Sequence, residues 1–403
     1  MKYSKDEVKQ YVREDDVKFI RLAFCDVFGK QKNISIMPEE LDRAFEYGIA
    51  FDASSIEGYG DETHSDLFLK PDSQTLMALP WRPEHGKVVR MFSDVTYPSG
   101  TAYECDTRYL LKKAMQAAED AGVCFFFGAE QEFYLFELDQ NGKPTKTPYD
   151  DAGYMDVAPE DKGENIRREI CLTLEQMGIR PESSHHEGGP GQNEIDFRYS
   201  DPLTAADNVM TFQTIVKTVA RRNGLCADFS PKPLEAQPGN GFHINLSVKS
   251  KDGADHLPYV IAGVLEKAAE MTAFLNPTEE SYLRFGRNRA PRYISWSSEN
   301  RSQLVRIPAA HGEYRRAELR SPDPAANPYL AFALIIYAGL YGIQNRLTMP
   351  KAVDQNLFTA NAGLISTLRK LPDSLGEACV LARQSAFIAE HIPAAVLDIY
   401  CSK

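Results

Sequence analysis

The sequence predicts a protein of mixed helix and strand in two parts, a strand-rich segment over residues 1–105 and a larger segment over 106–403. Three observations carry this. Runs of β-branched and aromatic residues dominate the first hundred positions. Apolar stripes of helical period, closed by capping residues and glycines, begin only after Asp106. Between those helices lie short strands that alternate apolar with charged positions.

Phe19–Val27 and Lys87–Phe92 read as strands of the first part. Phe51-Asp52-Ala53-Ser54-Ser55-Ile56-Glu57-Gly58-Tyr59-Gly60 reads as a polar loop between them, and loops carry function more often than the elements they join. Pro98-Ser99-Gly100 marks the boundary. Asp106 caps a helix with Leu110, Leu111, Ala114, Ala117, Ala118 and Ala121 on one face, and Gly122 stops it. The spacing predicts a second helix over 164–178, a third over 204–224 started by Thr204, and a fourth, largely apolar, from Pro328 to about Ile343.

The composition excludes several function classes. The 403 residues are 43% hydrophobic and 25% charged, as in ordinary soluble domains. A net charge of −12 argues against nonspecific nucleic-acid binding. No run of about 18 apolar residues suggests a membrane span, and the first residues lack the apolar stretch of a secretion signal. The seven cysteines are scattered without a C-x-x-C pair, which points to reduced thiols in a cytoplasm.

The chemistry lies in the strands of the second part. In an extended strand Arg316, Glu318 and Arg320 point to one face. A carboxylate between two guanidinium groups suits a place where a metal ion meets a phosphoryl group. The strand Cys124–Phe136 is apolar at its flanks yet carries Glu130 and Glu132 on one face. Buried carboxylates side by side repel unless a cation neutralises them; a solvated strand face is the alternative. Glu187 and Glu194 flank a tight Gly/Pro turn, which also reads as a polar loop with acids facing water. His243, Asn245 and Ser247 share a face after the glycine loop 239–241, and His243 alone also fits a hydrogen-bonded core histidine. Arg284, Arg289, Arg301, Arg306, Arg316 and Arg320 lie within one short stretch, an anion site or a basic surface. Five carboxylates and one histidine form a mostly hard-oxygen set, which favours Mg²⁺ or Mn²⁺ over zinc. Divalent ions beside arginines are the usual equipment of phosphoryl transfer. No G-x-x-x-x-G-K-[ST] loop exists, so ATP would be held by metals and arginines.

On these residues the chain resembles the bacterial type I glutamine synthetase family. The resemblance rests on Phe51–Ile56, Glu130-x-Glu132, Glu187–Glu194 with Gly191-Gln192-Asn193, Phe229-Ser230-Pro231-Lys232-Pro233, Gly241-Phe242-His243, Asn276-Pro277-Thr278, Asn300-Arg301-Ser302, Arg306-Ile307-Pro308 and Asp323–Leu330. It implies an α+β fold, with a β-grasp domain over 1–105 and a catalytic domain over 106–403. It also implies homo-oligomers in a hexameric ring, with each active site between neighbours. The implied reaction joins the γ-carboxylate of glutamate to an amine through a γ-glutamyl phosphate, with ATP as co-substrate and two or three Mg²⁺ or Mn²⁺ ions per site. By position, Glu132, Glu187 and Glu194 resemble ligands of one ion, and Glu130, His243 and Glu318 ligands of the ion nearer the ATP phosphates. Arg301, Arg306 and Arg316 resemble phosphate contacts, and Arg284, Arg320 and the Gly239 backbone contacts to glutamate. Asp52 of the adjacent subunit and Tyr154 resemble parts of the ammonium site, and Asn245 and Ser247 fall where the family contacts the nucleotide.

Three departures stand out. Pro238 replaces an asparagine whose amide binds the glutamate backbone, and proline supplies no such donor. The family's flap glutamate, which attracts and deprotonates ammonium, is replaced: Arg289 falls at its place, and no acid lies between Arg284 and Trp296. An arginine about 4 Å from an ammonium repels it by about 4 kcal/mol at an effective dielectric near 20. The family continues into a tail that threads between two stacked rings where this sequence reads to Lys403, so the double-ring dodecamer is in doubt and a single ring is the expectation. Three readings follow: a glutamate–amine ligase whose amine is not simply ammonia, with Arg289 pairing a carboxylate on it; an ordinary glutamine synthetase using ammonia; and a non-catalytic relative that senses a metabolite or pairs with another subunit.

Overall fold

The computed structural model describes residues 3–60, 63, 65–82, 85–310, 312 and 315–402. The first part is a β-grasp sheet of six strands: β1 (Val17–Cys25), β2 (Gln31–Ile36), β3 (Ile49–Asp52), β4 (Asp66–Pro71), β5 (Met77–Ala78) and β6 (Lys87–Thr96). Its order is β2-β1-β6-β4-β3, with β5 beside β6 and β1 parallel to β6. Phe51 and Asp52, expected in a loop, instead end β3, where Asp52 pairs with Asp66. Helix α1 (Lys5–Glu14), unforeseen, begins at a capping box in which Ser4 and Glu7 satisfy each other's backbone N–H groups. Helix α2 (Leu41–Glu46) precedes β3.

The second part is built on a nine-stranded sheet: β7 (Val123–Leu138), β8 (Pro144–Pro148), β9 (Pro181–His186), β10 (Gln192–Ser200), β11 (Leu225–Asp228), β12 (Phe242–Ser250), β13 (Trp296–Ser298), β14 (Val305–Ile307) and β15 (Ala317–Leu319). The order is β13-β14-β15-β12-β7-β10-β9, with β8 and β11 pairing the far end of β7. Helices α3 (Thr107–Asp120), α4 (Glu164–Gln176), α5 (Pro202–Arg222), α6 (Leu257–Leu275), α7 (Glu279–Tyr282) and α8 (Pro328–Gln344) follow in chain order, and four short helices end the chain. The third expected helix starts earlier than Thr204. Asp201 is the cap, accepting the Thr204 N–H at 3.1 Å, and Pro202 takes the first helical position. The second ends at Gln176, and Gly178 lies just beyond in a left-handed turn at φ +73°.

One face of this sheet is apolar. Phe127 stacks on Phe332 of α8 with centroids 4.4 Å apart, and Phe133 meets Phe212 of α5 edge-on. Helix α8 is buried almost all round because α3 and α6 cover its outer side. The two parts are joined by Arg108 at the start of α3. It is 2% exposed and its guanidinium pairs with Asp72 and Asp94 of the first part and Asp207 of α5, at 2.8, 2.6 and 3.0 Å. Among the described residues no helix is long and apolar enough to cross a membrane.

Candidate active site

The other face of the nine-stranded sheet is polar, and strand register alone assembles it. Residues directly opposite in neighbouring strands share a face. Glu130 of β7 lies opposite His243 on one side and Asp196 on the other; Glu132 lies opposite Glu194. Beyond β10, Ser183 and His185 of β9 continue the same rows. Beyond β12, Asn245 lies opposite Glu318, and Glu318 opposite Arg306. Residues more than a hundred positions apart thus form one patch, floored by the sheet.

The patch floors a cleft of about 490 Å³. Its lining brings together Glu130, Glu132, Glu187, Glu194, His243, Tyr154, Gly239, Arg284, Arg289, Arg301, Arg306, Arg316 and Arg320. An adjoining hollow of about 250 Å³ is lined by Asn245, Ser247, Phe126, Tyr199 and Arg316. Glu318 lies beneath, 1% exposed. Asp52 is not part of the cleft in its own chain. It is exposed at the end of β3, where its carboxylate accepts the Ser54 N–H at 3.0 Å and the Ser54 hydroxyl at 2.6 Å.

Within the cleft the acids fall into two overlapping groups, Glu130 with Glu194 and His243, and His185 with Glu187 and Glu194. His243 Nδ1 is 3.4 Å from Glu130 Oε2 and 3.8 Å from Glu318 Oε1. Asn245 Nδ2 donates to Glu130 at 2.6 Å, and Arg316 Nε donates to Asn245 Oδ1 at 2.8 Å. Glu318 accepts from both Arg306 and Arg320. Glu132 belongs to neither group of acids. Its Oε2 accepts the Gly241 N–H at 2.7 Å and Gln192 Nε2 at 3.2 Å.

The electrostatics are strained by this crowding. Burial, then the charge of Glu132, pushes Glu187 up to about 7. Burial and the charge of Glu130 push Asp196 up to about 8. Glu194 is driven well above the usual carboxylate range by burial and then by Asp196, Glu132 and Glu130. Glu130 differs: burial raises it, but hydrogen bonds from His243 and Asn245 and the charges of His243 and Arg320 pull it down to about 2. Carboxylates that burial and repulsion hold protonated are a donor set short of positive charge. All are oxygen donors apart from the imidazoles, so the set fits hard divalent cations.

Backbone geometry narrows the rest. A Cβ on Gly239 would lie 2.4 Å from the Pro231 carbonyl oxygen, so only glycine brings this backbone to the cleft wall. The Pro238 carbonyl accepts the Tyr134 hydroxyl at 2.7 Å. Arg284 is buried, donates to the Ser321 carbonyl at 3.1 Å and lies 3.5 Å from Asp323. Sequence reasoning missed Asp196 and His185. Asp196 was available as Glu194-x-Asp196, a repeat of the Glu130-x-Glu132 pattern; the position of His185 depends on the β9–β10 register.

Family models for the glutamine synthetase β-grasp domain and the glutamine synthetase catalytic domain match residues 16–98 and 104–403. The chain is 44% identical over 392 residues to a glutamine synthetase of Clostridium saccharobutylicum, covering 94% of this chain and 88% of that one. Among solved structures, a GmaS complex with ADP superposes with a TM-score of 0.89 at 28% identity, covering 98% of this chain and 94% of the other. A Plasmodium falciparum glutamine synthetase superposes at 0.86 with 22% identity, covering 100% and 95%.

Proposed function

From the premise that this chain belongs to the glutamine synthetase family, and is therefore an ATP-dependent carbon–nitrogen ligase, we propose that it joins the γ-carboxylate of glutamate to an amine other than ammonia. The observation that carries the reading is Arg289. Its guanidinium enters the cleft beside Tyr154, at the end where Glu187 lies. A fixed positive charge there disfavours an ammonium ion and leaves the phosphate chemistry at the other end untouched.

In this reading the adjoining hollow takes the nucleotide base and ribose, with Phe126 and Tyr199 as apolar walls and Asn245 and Ser247 as polar contacts. The likeness to GmaS solved with ADP supports that placement. Arg301, Arg306 and Arg316 face the phosphates. Arg284, Arg320 and the Gly239 backbone hold glutamate. Glu130, Glu132, Glu187, Glu194, His243 and Glu318 would hold two or three Mg²⁺ or Mn²⁺ ions, which would supply charge neutralisation of the transferred phosphoryl group. Were Glu318 committed to such an ion, Arg306 and Arg320 would be released to face substrate anions. Asp52 of a neighbouring subunit closes the amine end, which requires a homo-oligomer, read here as a hexameric ring.

The names of the curated relatives favour a second reading, glutamine formation from ammonia. ADP release measured with ATP, glutamate and a panel of amines separates the two. We expect several amines to stimulate turnover beyond ammonia. Stimulation by ammonia alone, at rates no other amine approaches, sinks the first reading.

A further inference from the structure

Arg289 is held in place by more than its neighbours in sequence. Asn288 and Arg289 both occupy the left-handed region, at φ +46° and +69°, which residues with side chains adopt reluctantly. The turn closes through the Gly286 N–H to the Ala290 carbonyl and the Ala290 N–H to the Arg287 carbonyl, each at 2.9 Å. The buried guanidinium of Arg320 donates to the Arg289 carbonyl at 3.4 Å. The outcome is a guanidinium laid over the Tyr154 ring, 5.0 Å from its centroid. Tyr154 in turn meets His185 edge-on, and His185 Nδ1 is 3.7 Å from Glu187.

The Glu187 carboxylate feels the charge of Arg289 across the cleft, but no carboxylate among the described residues closes on it. Arg284 pairs with Asp323, and Arg306 and Arg320 pair with Glu318, whereas no ion pair engages Arg289 among the described residues. A guanidinium held over an aromatic ring by a cation–π contact can still offer N–H donors, in the fork geometry that matches a carboxylate. The ring backs the guanidinium on one side, and the closed turn sets how far it reaches. The site thus presents a preorganised anion contact at the amine end, separate from the arginines around Glu318.

We propose that Arg289 binds a carboxylate carried by the amine substrate, which makes that substrate an amino acid or other amino carboxylate. The inference rests on the reading that the amine is not ammonia. The nitrogen lone pair of the amine forms the new C–N bond to the γ-carbonyl carbon. The bond from that carbon to the phosphate oxygen breaks, phosphate leaves with the electron pair, and the nitrogen's surplus proton passes to solvent. The carboxylate stays intact, held by Arg289, and the product carries it free.

The test uses the full chain with Mg²⁺-ATP or Mn²⁺-ATP and glutamate, and pairs of amines that differ by one carboxylate: glycine with methylamine, β-alanine with ethylamine, 4-aminobutyrate with propylamine. The expected result is a kcat/KM roughly 10- to 100-fold higher for the carboxylated member of at least one pair. Arg289→Ala should erase that preference through KM for the amine. Arg289→Lys should keep part of it, and Arg289→Glu should reverse it. Thermal unfolding of each variant reports whether the fold is intact. Turnover of alkylamines with no advantage for their carboxylated partners overturns the carboxylate assignment and leaves the amine-ligase reading standing. A rise in KM for glutamate, with no change among amines, also overturns it and gives the anion contact to the acid substrate. Activity with ammonia alone overturns both.

Discussion

Glu187, Glu194 and Asp196 share one physical situation: each gives up a proton only reluctantly inside the fold. Their linkage to stability has a definite sign. Glu187 and Asp196 ionise near 4.5 and 3.8 when unperturbed, but only at about 7 and about 8 in the folded chain. A raised carboxylate pKa stabilises the fold most below the unperturbed value, and that stability is lost as pH climbs through the folded value. The metal-free protein should therefore melt at progressively lower temperature from about pH 5 to about pH 8. Mg²⁺ or Mn²⁺ should raise the melting temperature more at the alkaline end, where the ligands are already deprotonated. At about 100 Kd a bound ion is worth about 2.7 kcal/mol of added stability. A metal-induced shift that is absent, or equal at both ends of the range, would speak against the cation site. Glu194→Gln mimics the neutral acid that burial and the neighbouring carboxylates already favour, and prevents it from ionising. It should leave the metal-free protein as stable or a few degrees more so, while turnover falls by at least about 100-fold; a destabilised but active variant would contradict this. Glu130 and Glu132 were legible in the sequence, because acids at alternate positions of an apolar strand set like charges side by side on one face, a repulsion that a bound cation relieves; Glu187 and Glu194, on either side of a Gly/Pro turn, read equally as a solvated loop and were singled out by the resemblance. The alternate-position rule also covers Asp196, which sequence reasoning missed. His185 was not legible, since only the register of β9 against β10 brings it beside Glu194.

Strands and helices set where those residues can stand. The site depends on β7 pairing with β10 and β12 at one register, since a slip of one residue would turn Glu130 and Glu132 into the apolar layer. That layer is closed by α6 and α8, which approach unusually near. A Cβ on Gly263 would lie 2.0 Å from the Ala338 carbonyl oxygen, and one on Gly342 2.0 Å from that of Tyr259. Gly263→Ala must push the helices apart and should cost about 1–3 kcal/mol, read as a lower denaturation midpoint at unchanged slope. No loss of stability would mean the two helices have slack. Helix α8 was readable because Pro328 announces its start and Asn327 caps it. Helix α6 was missed because its residues are apolar on nearly every side, which erases the stripe that identifies a helix. Helix α1 was missed for a different reason: its ten residues are mostly charged, and only the Ser4–Glu7 box marks it.

At the scale of the whole molecule, the division of labour between chains is open to direct test. Asp52 sits outside the cleft of its own chain, exposed, with its carboxylate bonded to Ser54 and Ser55 of the turn that follows. If a neighbour's Asp52 closes each site, Asp52→Ala and Glu130→Gln chains are inactive alone but regain activity when dissociated and reassembled together, because mixed assemblies contain sites with both residues intact. Mixtures that stay inactive would place the whole site within one subunit. The two domains also share a fate. Arg108 reaches from α3 to three aspartates, two on the first domain and one on α5, with almost no access to water. Prising the domains apart would take Asp72 and Asp94 away from Arg108 and break two of its three ion pairs at once. Neither domain has a cheap way to melt first, so heating should produce one calorimetric peak and not two. A small mobile cap on a catalytic body would have offered evolution a hinge; here one buried guanidinium clamps that boundary from both sides.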